Sequence, residues 1–402
     1  MSNLEELIER LCPDGVEYKT IRDICKKIAS GGTPTASKSE YYNGYIPWLR
    51  TQEVDWKDIL DTEIKITELG YNNSSTKWIP KNCVIVAMYG ATAAKVAINK
   101  IPLTTNQACC NLEIDERIAE YKYVYYWLCK EYINLKSLGQ GSQHNINANI
   151  IKNYKLPVPP LEVQREIVRI LDNFTFLTTE LAAELAARQK QYEYYRDLLL
   201  TFKSNESTIL NERTNELEIN APVRWMKLGD IADIKRGIRV VKKQLITEGK
   251  YPVYQNSLEP MGYFNKYNCE AETTYVISAG AAGEIGFCNK KFWAADDCLI
   301  FIDTKNVNNK FIYYSLLVRK NILLANVRKA SIPRLSRIVV ENLIIPVPPL
   351  AIQQRIVDIL DRFDTLCNDI SSGLPAEIEM RQKQYEYYRD KLLTFKELKK
   401  EA

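Results

Sequence analysis

Two stretches of the chain carry large apolar side chains at spacings that alternate between four and three residues. In one, Leu181, Leu185, Arg188, Tyr192, Tyr195, Leu199 and Phe202 fall on a single stripe. In the other, Leu374, Ile378, Arg381, Tyr385, Tyr388, Leu392 and Phe395 do the same. Such spacing predicts a helix with a coiled-coil seam. Each stretch follows a shorter helical pattern. Leu161, Gln164, Ile167, Val168 and Leu171 trace one face of a helix over Leu161–Leu177, and the sequence Ile167-Val168-Arg169-Ile170-Leu171-Asp172 returns as Ile356-Val357-Asp358-Ile359-Leu360-Asp361. Before each short helix stands Pro-Val-Pro-Pro-Leu, at Pro157 and again at Pro346, where consecutive prolines favour a stiff extended entry.

The patterns between these helices are of another kind. Leu4, Leu7, Ile8 and Leu11 predict a short helix stopped by Pro13-Asp14-Gly15. The run Cys83–Met88 reads as a buried strand and Tyr121–Leu135 as a helix, while Gly280, Gly283 and Gly286 suit a hairpin between strands. Polar residues from Lys203 to Ala221 read as a surface connector.

Repetition then organises the whole chain. The segment from Arg188 to Asp197 recurs letter for letter from Arg381 to Asp390, and Val223–Ile231 echoes Val16–Ile24. The expected fold is α+β. Two similar mixed globular domains, 1–156 and 223–345, are joined by helical regions 157–203 and 346–402 and a linker 204–222. The helices form an antiparallel intramolecular coiled coil about a pseudo-twofold axis.

In this scheme the seam of each long helix is buried by the other copy, with the globular domains at opposite ends of a rod. Arg188 and Arg381 either snorkel to the rim or fix the register of pairing. A helix from Glu180 to Phe202 spans about 33 Å, close to one turn of duplex DNA. The second half carries extra residues in Ser371-Ser372-Gly373-Leu374-Pro375, where glycine and proline predict a break and a fresh helix start.

Composition changes this picture little. The 402 residues carry a net charge of only +4, so any nucleic-acid surface must be local. Ten scattered cysteines and a single histidine lack zinc spacing and predict reduced, mostly buried thiols. No apolar run reaches membrane length and the N-terminus lacks a signal-peptide pattern, which predicts a cytoplasmic protein without a membrane partner.

Catalytic signatures are sparse. The chain has no phosphate-binding Gly-x-x-x-x-Gly-Lys-Ser/Thr loop and no Asn/Asp-Pro-Pro-aromatic tetrapeptide of amino-methyltransferases. Asp58 and Asp61 before Glu63-Ile64-Lys65 leave a metal-dependent nuclease as an alternative, and a helical adaptor that binds only proteins is a second. Basic clusters are the stronger signal. Lys235, Arg236, Arg239, Lys242 and Lys243 surround a glycine, and Arg328, Lys329, Arg334 and Arg337 form a second group, of which the first three are candidates for DNA contact. In the first domain the candidates for DNA contact are Arg50, Lys77, Lys95 and the loop Gln140, Ser142, Gln143 and His144. That loop aligns with Ala330–Arg334 of the second domain.

The duplicated Pro-Val-Pro-Pro-Leu, Gln-x-x-Ile-Val-x-Ile-Leu-Asp and Arg-Gln-Lys-Gln-Tyr-Glu-Tyr-Tyr-Arg-Asp motifs, set around two unlike domains, resemble the specificity subunit of type I restriction-modification enzymes over the whole chain. The resemblance implies that each globular domain reads one half of a split, asymmetric site in double-stranded DNA. It implies that the helices set the gap and dock two modification subunits, with restriction subunits joining them. Methylation of adenine at N6 and DNA translocation then belong to those partners. The chain itself is expected to be non-catalytic and to hold no cofactor or metal, with S-adenosylmethionine, ATP and magnesium on the partner subunits.

Overall fold

A computed structural model describes residues 3–140, 145–202, 206–210 and 217–398, with the backbone alone for 206–210 and 217–222. Five helices carry the frame: α1 (Tyr121–Lys130), α2 (Leu161–Leu200), α3 (Asn309–Val318), α4 (Leu350–Asn368) and α5 (Leu374–Leu392). The chain divides into two compact units, one of Met1–Glu180 with Ile378–Ala402 and one of Leu181–Glu377. The division does not follow chain order, because each unit takes the last turns of a long helix from the opposite half.

In the first unit a five-stranded sheet runs in the order Cys25–Ser30, Cys109–Ile114, Val84–Ala87, Val96–Asn99, Asp58–Ile59. Its central strand Val84–Ala87 is buried at every position, as an uninterrupted apolar run requires. A second sheet places Tyr42–Leu49 between Lys65–Ile66 and Leu103–Thr105, with Trp78–Ile79 at its edge. The helix expected over Tyr121–Leu135 is broken at Glu131 into α1 and Tyr132–Ser137.

The second unit repeats the plan. Its four-stranded sheet runs Asp233–Arg236, Cys298–Ile302, Thr273–Ile277, Ile285–Cys288, position for position the order of the first. The glycine-spaced stretch does turn a hairpin, with Gly280 at φ +86° and Gly283 at φ +92°. Although Lys38–Asn82 has no close sequence counterpart, Tyr251–Tyr254 occupies the place of Tyr42–Leu49. Both strands pair in parallel with an equivalent neighbour, Trp48 beside Thr104 and Val253 beside Trp293.

The repeated motifs fasten the helices to the sheets in the same way twice. Fully buried Gln164 accepts from the Glu120 N–H (2.8 Å) and donates to the carbonyls of Pro159 (2.7 Å) and Ile118 (3.2 Å). Gln353 accepts from the Asn308 N–H (2.9 Å) and donates to Pro348 (2.7 Å). Two helical turns on, Asp172 accepts from Lys122 (2.6 Å) and the Tyr126 hydroxyl (2.7 Å). Asp361 accepts from Lys310 (2.8 Å) and Tyr314 (2.6 Å). Burial raises both tyrosines well above the ordinary phenol range, so each remains a donor to its carboxylate.

Each seam joins the core of one unit, with Tyr388 left 40% exposed. In the second unit Leu185, Tyr192, Tyr195, Leu199 and Phe202 join a core with Ile356, Val357, Leu360 and Phe363 of α4, and Tyr195 stacks on Phe363. In the first, Tyr385, Leu392 and Phe395 join Val163, Ile167 and Leu171 of α2, and Tyr388 stacks on Phe174. Each decapeptide therefore runs antiparallel to the short helix of the opposite half. That partner also presents the sheet-bound apolar stripe, so one cluster closes over helix and head together; burying each large side chain there contributes about 1.5–3 kcal/mol. Of the remaining seam positions, Leu374 is buried whereas Leu181 and Ile378 are half-buried.

The two arginines of the seams bond along their own helices, Arg188 to Gln191 (2.9 Å) and Arg381 to Gln384 (3.3 Å). The Arg188 side chain stays 43% exposed, the geometry of a snorkelling side chain.

Two boundaries differ from the expectation. The first short and long helices are one continuous helix of 40 residues, since Thr178-Thr179-Glu180 contains no breaker. The second half does break, at Asp369–Gly373. There the Asp369 carboxylate accepts from the Ser371 and Ser372 hydroxyls (2.6 Å each), which hold it down to about 2. The linker 204–222 is not merely a connector: Glu206–Leu210 and Leu217–Pro222 pair as antiparallel strands.

Candidate nucleic-acid interface

Both units bring three loops together through the same short chain of backbone hydrogen bonds. In the second unit the Gly237 N–H donates to Cys298 O (3.0 Å) and the Ile238 N–H to Ala294 O (2.9 Å), which lays the segment after Arg236 along the loop Ala294–Cys298. The Ser278 N–H donates to Asp297 O (2.7 Å), and the Leu335 N–H donates to Ser278 O (2.8 Å). Arg328 and Arg334 close the third loop by exchanging backbone hydrogen bonds of 2.9 and 3.2 Å. The two basic clusters, some ninety residues apart in sequence, thus flank one strand-end turn.

The first unit repeats all but the Gly237–Cys298 bond. The Gly32 N–H donates to Thr105 O (2.9 Å), Met88 N–H to Ala108 O (2.8 Å) and Ile146 N–H to Met88 O (2.9 Å). Gln140 and Asn145 exchange backbone bonds of 2.9 and 3.0 Å. Two glycines make the close approach possible. A Cβ on Gly31 would lie 1.8 Å from Thr105 O, and one on Gly237 would lie 2.3 Å from the carbonyl oxygens of Ala294 and Ala295.

The side chains on this shared scaffold differ. Arg236, Arg239, Lys242, Lys243, Arg328, Lys329 and Arg334 are all exposed and have no ion pair among the described residues. Lys235, by contrast, is bound to Asp233 at 2.9 Å. Asp233 raises its ammonium above the ordinary range. The loop also carries Asp296 and Asp297, the latter accepting from Gln255.

In the first unit the proposed cations are dispersed or occupied. Arg50 is paired with Glu63 (3.0 Å) and lies 4.0 Å from Glu53. Lys95 sits in the central hairpin turn, bound to Asp55 at 2.6 Å. Lys77 is exposed beside the edge strand Trp78–Ile79, one residue after Thr76, whose hydroxyl donates to Gly32 O (2.8 Å) on the first of the three loops. Gln140 stands at the mouth of its loop, while Ser142, Gln143 and His144 lie outside the described residues.

Sequence reading missed Ser30, Thr33 and Asn145, which occupy the backbone positions of Arg236, Arg239 and Arg334. It also missed Tyr89, 44% exposed on the hairpin turn whose Gly90 N–H donates to the Asn145 side chain (3.0 Å). The echo of Ser30-Gly31 in Arg236-Gly237 was the available signal.

The nuclease arrangement does not assemble. Asp58 faces Lys100 (3.5 Å) in one sheet, whereas Asp61 is bound to Lys65 (3.0 Å) beside the other, and Glu63 pairs with Arg50. Among the described residues no group of three or more His, Cys, Asp or Glu is arranged to hold a metal ion. Nor is any described helix long and apolar enough to cross a membrane.

Comparison with known proteins agrees with the duplicated plan. A family model described as the type I restriction modification DNA specificity domain matches residues 13–188 and 222–380. A putative type I specificity subunit of Mycoplasma pneumoniae is 36% identical over 60% of this chain and 92% of its own length. The specificity subunit of a type I restriction enzyme of Escherichia coli is 35% identical over 70% of this chain and 72% of its own. The crystal structure of a type I restriction-modification S subunit from M. genitalium has the same fold, with a TM-score of 0.60 at 17% identity over 94% of this chain and 96% of that one. The HsdS subunit from Thermoanaerobacter tengcongensis gives 0.51 at 16% identity over 95% and 97%.

Proposed function

We propose, from the premise that this chain belongs to the type I restriction-modification DNA specificity family, that it is a non-catalytic reader of double-stranded DNA in which each unit recognises one half of a bipartite site. One observation carries the proposal: the same three-loop scaffold is built twice on the same hydrogen bonds, yet its solvent-facing side chains differ at matching positions. A conserved scaffold with unlike tips suits two different recognition tasks and gives a single reaction no use for its second copy. Phosphate contacts from the basic loops would position the duplex, and polar side chains at the loop tips would meet base edges.

The helical frame then sets the gap between half-sites and docks two modification subunits, with restriction subunits added to them. Adenine methylation and DNA translocation reside in those partners, and S-adenosylmethionine, ATP and magnesium bind there. Mapping N6-methyladenine genome-wide in cells with and without the gene tests this. The expected result is one split motif that vanishes on deletion, whereas an unchanged methylation pattern contradicts the reading.

A further inference from the structure

Resting on that reading, we infer that the two units divide the work unequally: the second supplies most of the grip on the DNA backbone, and the first reads its half-site mainly through uncharged side chains. The hydrogen bonds that define the scaffold also define which positions correspond. Gly32 and Ile238 donate to equivalent carbonyls, so Ser30 corresponds to Arg236 and Thr33 to Arg239. The backbone pairs that close the third loop make Gln140 correspond to Arg328 and Asn145 to Arg334. At four matching positions, then, the first unit carries a neutral polar group and the second an exposed arginine.

The remaining charges widen the difference. In the first unit Arg50 and Lys95 are held by carboxylates, so that freeing either for a phosphate means breaking an existing pair, and of its candidate cations only Lys77 is without an ion pair among the described residues. In the second, the four arginines face solvent without an ion pair among the described residues. Asp296 and Asp297 are the acidic groups on the adjoining loop, and two carboxylates do not offset four arginines together with Lys242 and Lys243. A cation on duplex DNA releases condensed counterions, and each phosphate it neutralises contributes about 0.9 to the slope of log affinity against log salt concentration. Neutral polar groups contribute nothing to that slope. Salt dependence therefore separates the two kinds of contact, where affinity alone does not.

The test uses the full chain assembled with its modification subunits and a random-sequence duplex, with affinity measured across a salt series. Substituting Arg236, Arg239, Arg328 and Arg334 together by Gln is expected to lower the slope by about 3–4. Arg50→Gln with Lys95→Gln is expected to lower it by less than about 1. Ser30→Arg with Thr33→Arg, a gain-of-charge variant that leaves the second unit intact, is expected to raise it by about 2. Equal losses from the two units overturn the division of work while leaving DNA recognition standing. An assembled complex that does not bind the duplex, with no variant altering it, overturns both.

Discussion

Gln164→Ala is expected to destabilise the first unit by about 2–5 kcal/mol, and Gln353→Ala to do the same to the second. Each glutamine is fully buried and serves as donor and acceptor at once, tying the entry of the short helix to the loop before the sheet-packed helix. Truncation leaves a backbone N–H and two carbonyls facing one another without partners in a site closed to water, and each such group costs about 1–3 kcal/mol. Gln164→Glu does not rescue the site, because a carboxylate accepts from the Glu120 N–H but repels the carbonyls of Pro159 and Ile118. Urea unfolding of the variants measures the loss. A change under about 0.5 kcal/mol for Gln164→Ala, the size of an ordinary surface substitution, contradicts the role given to it.

The second large effect is expected on binding. Gly237→Ala brings a methyl group to 2.3 Å from two carbonyl oxygens. Neither carbonyl is free to retreat: Ala294 O already accepts from Ile238 N–H (2.9 Å) and the Asn268 side chain (2.8 Å), and Ala295 O accepts from Cys298 N–H (3.0 Å). The strand end must move instead, and Arg236 and Arg239 move with it. The overpacking costs about 1–3 kcal/mol. Binding to a duplex carrying the recognised site is expected to fall about tenfold or more, since 1.4 kcal/mol is already a factor of ten. Retention of wild-type affinity by a folded Gly237→Ala chain would show that the basic loop is not where DNA is held. Gly31→Ala, with its closer approach of 1.8 Å, provides the matching experiment in the first unit.

Much of the fold was legible because its signals are local. The buried strand at Val84–Ala87, the hairpin at Gly280 and Gly283 and the break near Gly373 each follow from residues adjacent in sequence. What seams pair with is not local. The stripe through Tyr192 and Leu199 is satisfied by any apolar partner, and nothing in its own spacing singles out Ile356, Leu360 and Phe363 as the side chains that meet it. The continuous 40-residue helix illustrates the converse, since threonine and glutamate at 178–180 weaken a helix too little to end it. At the candidate interface, charge was visible where it clusters, as at Arg236 and Arg239. Neutral positions such as Ser30, Thr33 and Asn145 acquire meaning only once the backbone bonds align them with arginines.

The central claim is that two unlike heads on one duplicated frame read two halves of a site. Replacing residues 16–156 with the corresponding head of a relative that recognises a different sequence, then mapping methylated adenines, tests it most directly. The account predicts that one half of the split motif changes while the other half and the gap between them stay as they were. A motif altered in both halves, or in neither, contradicts it.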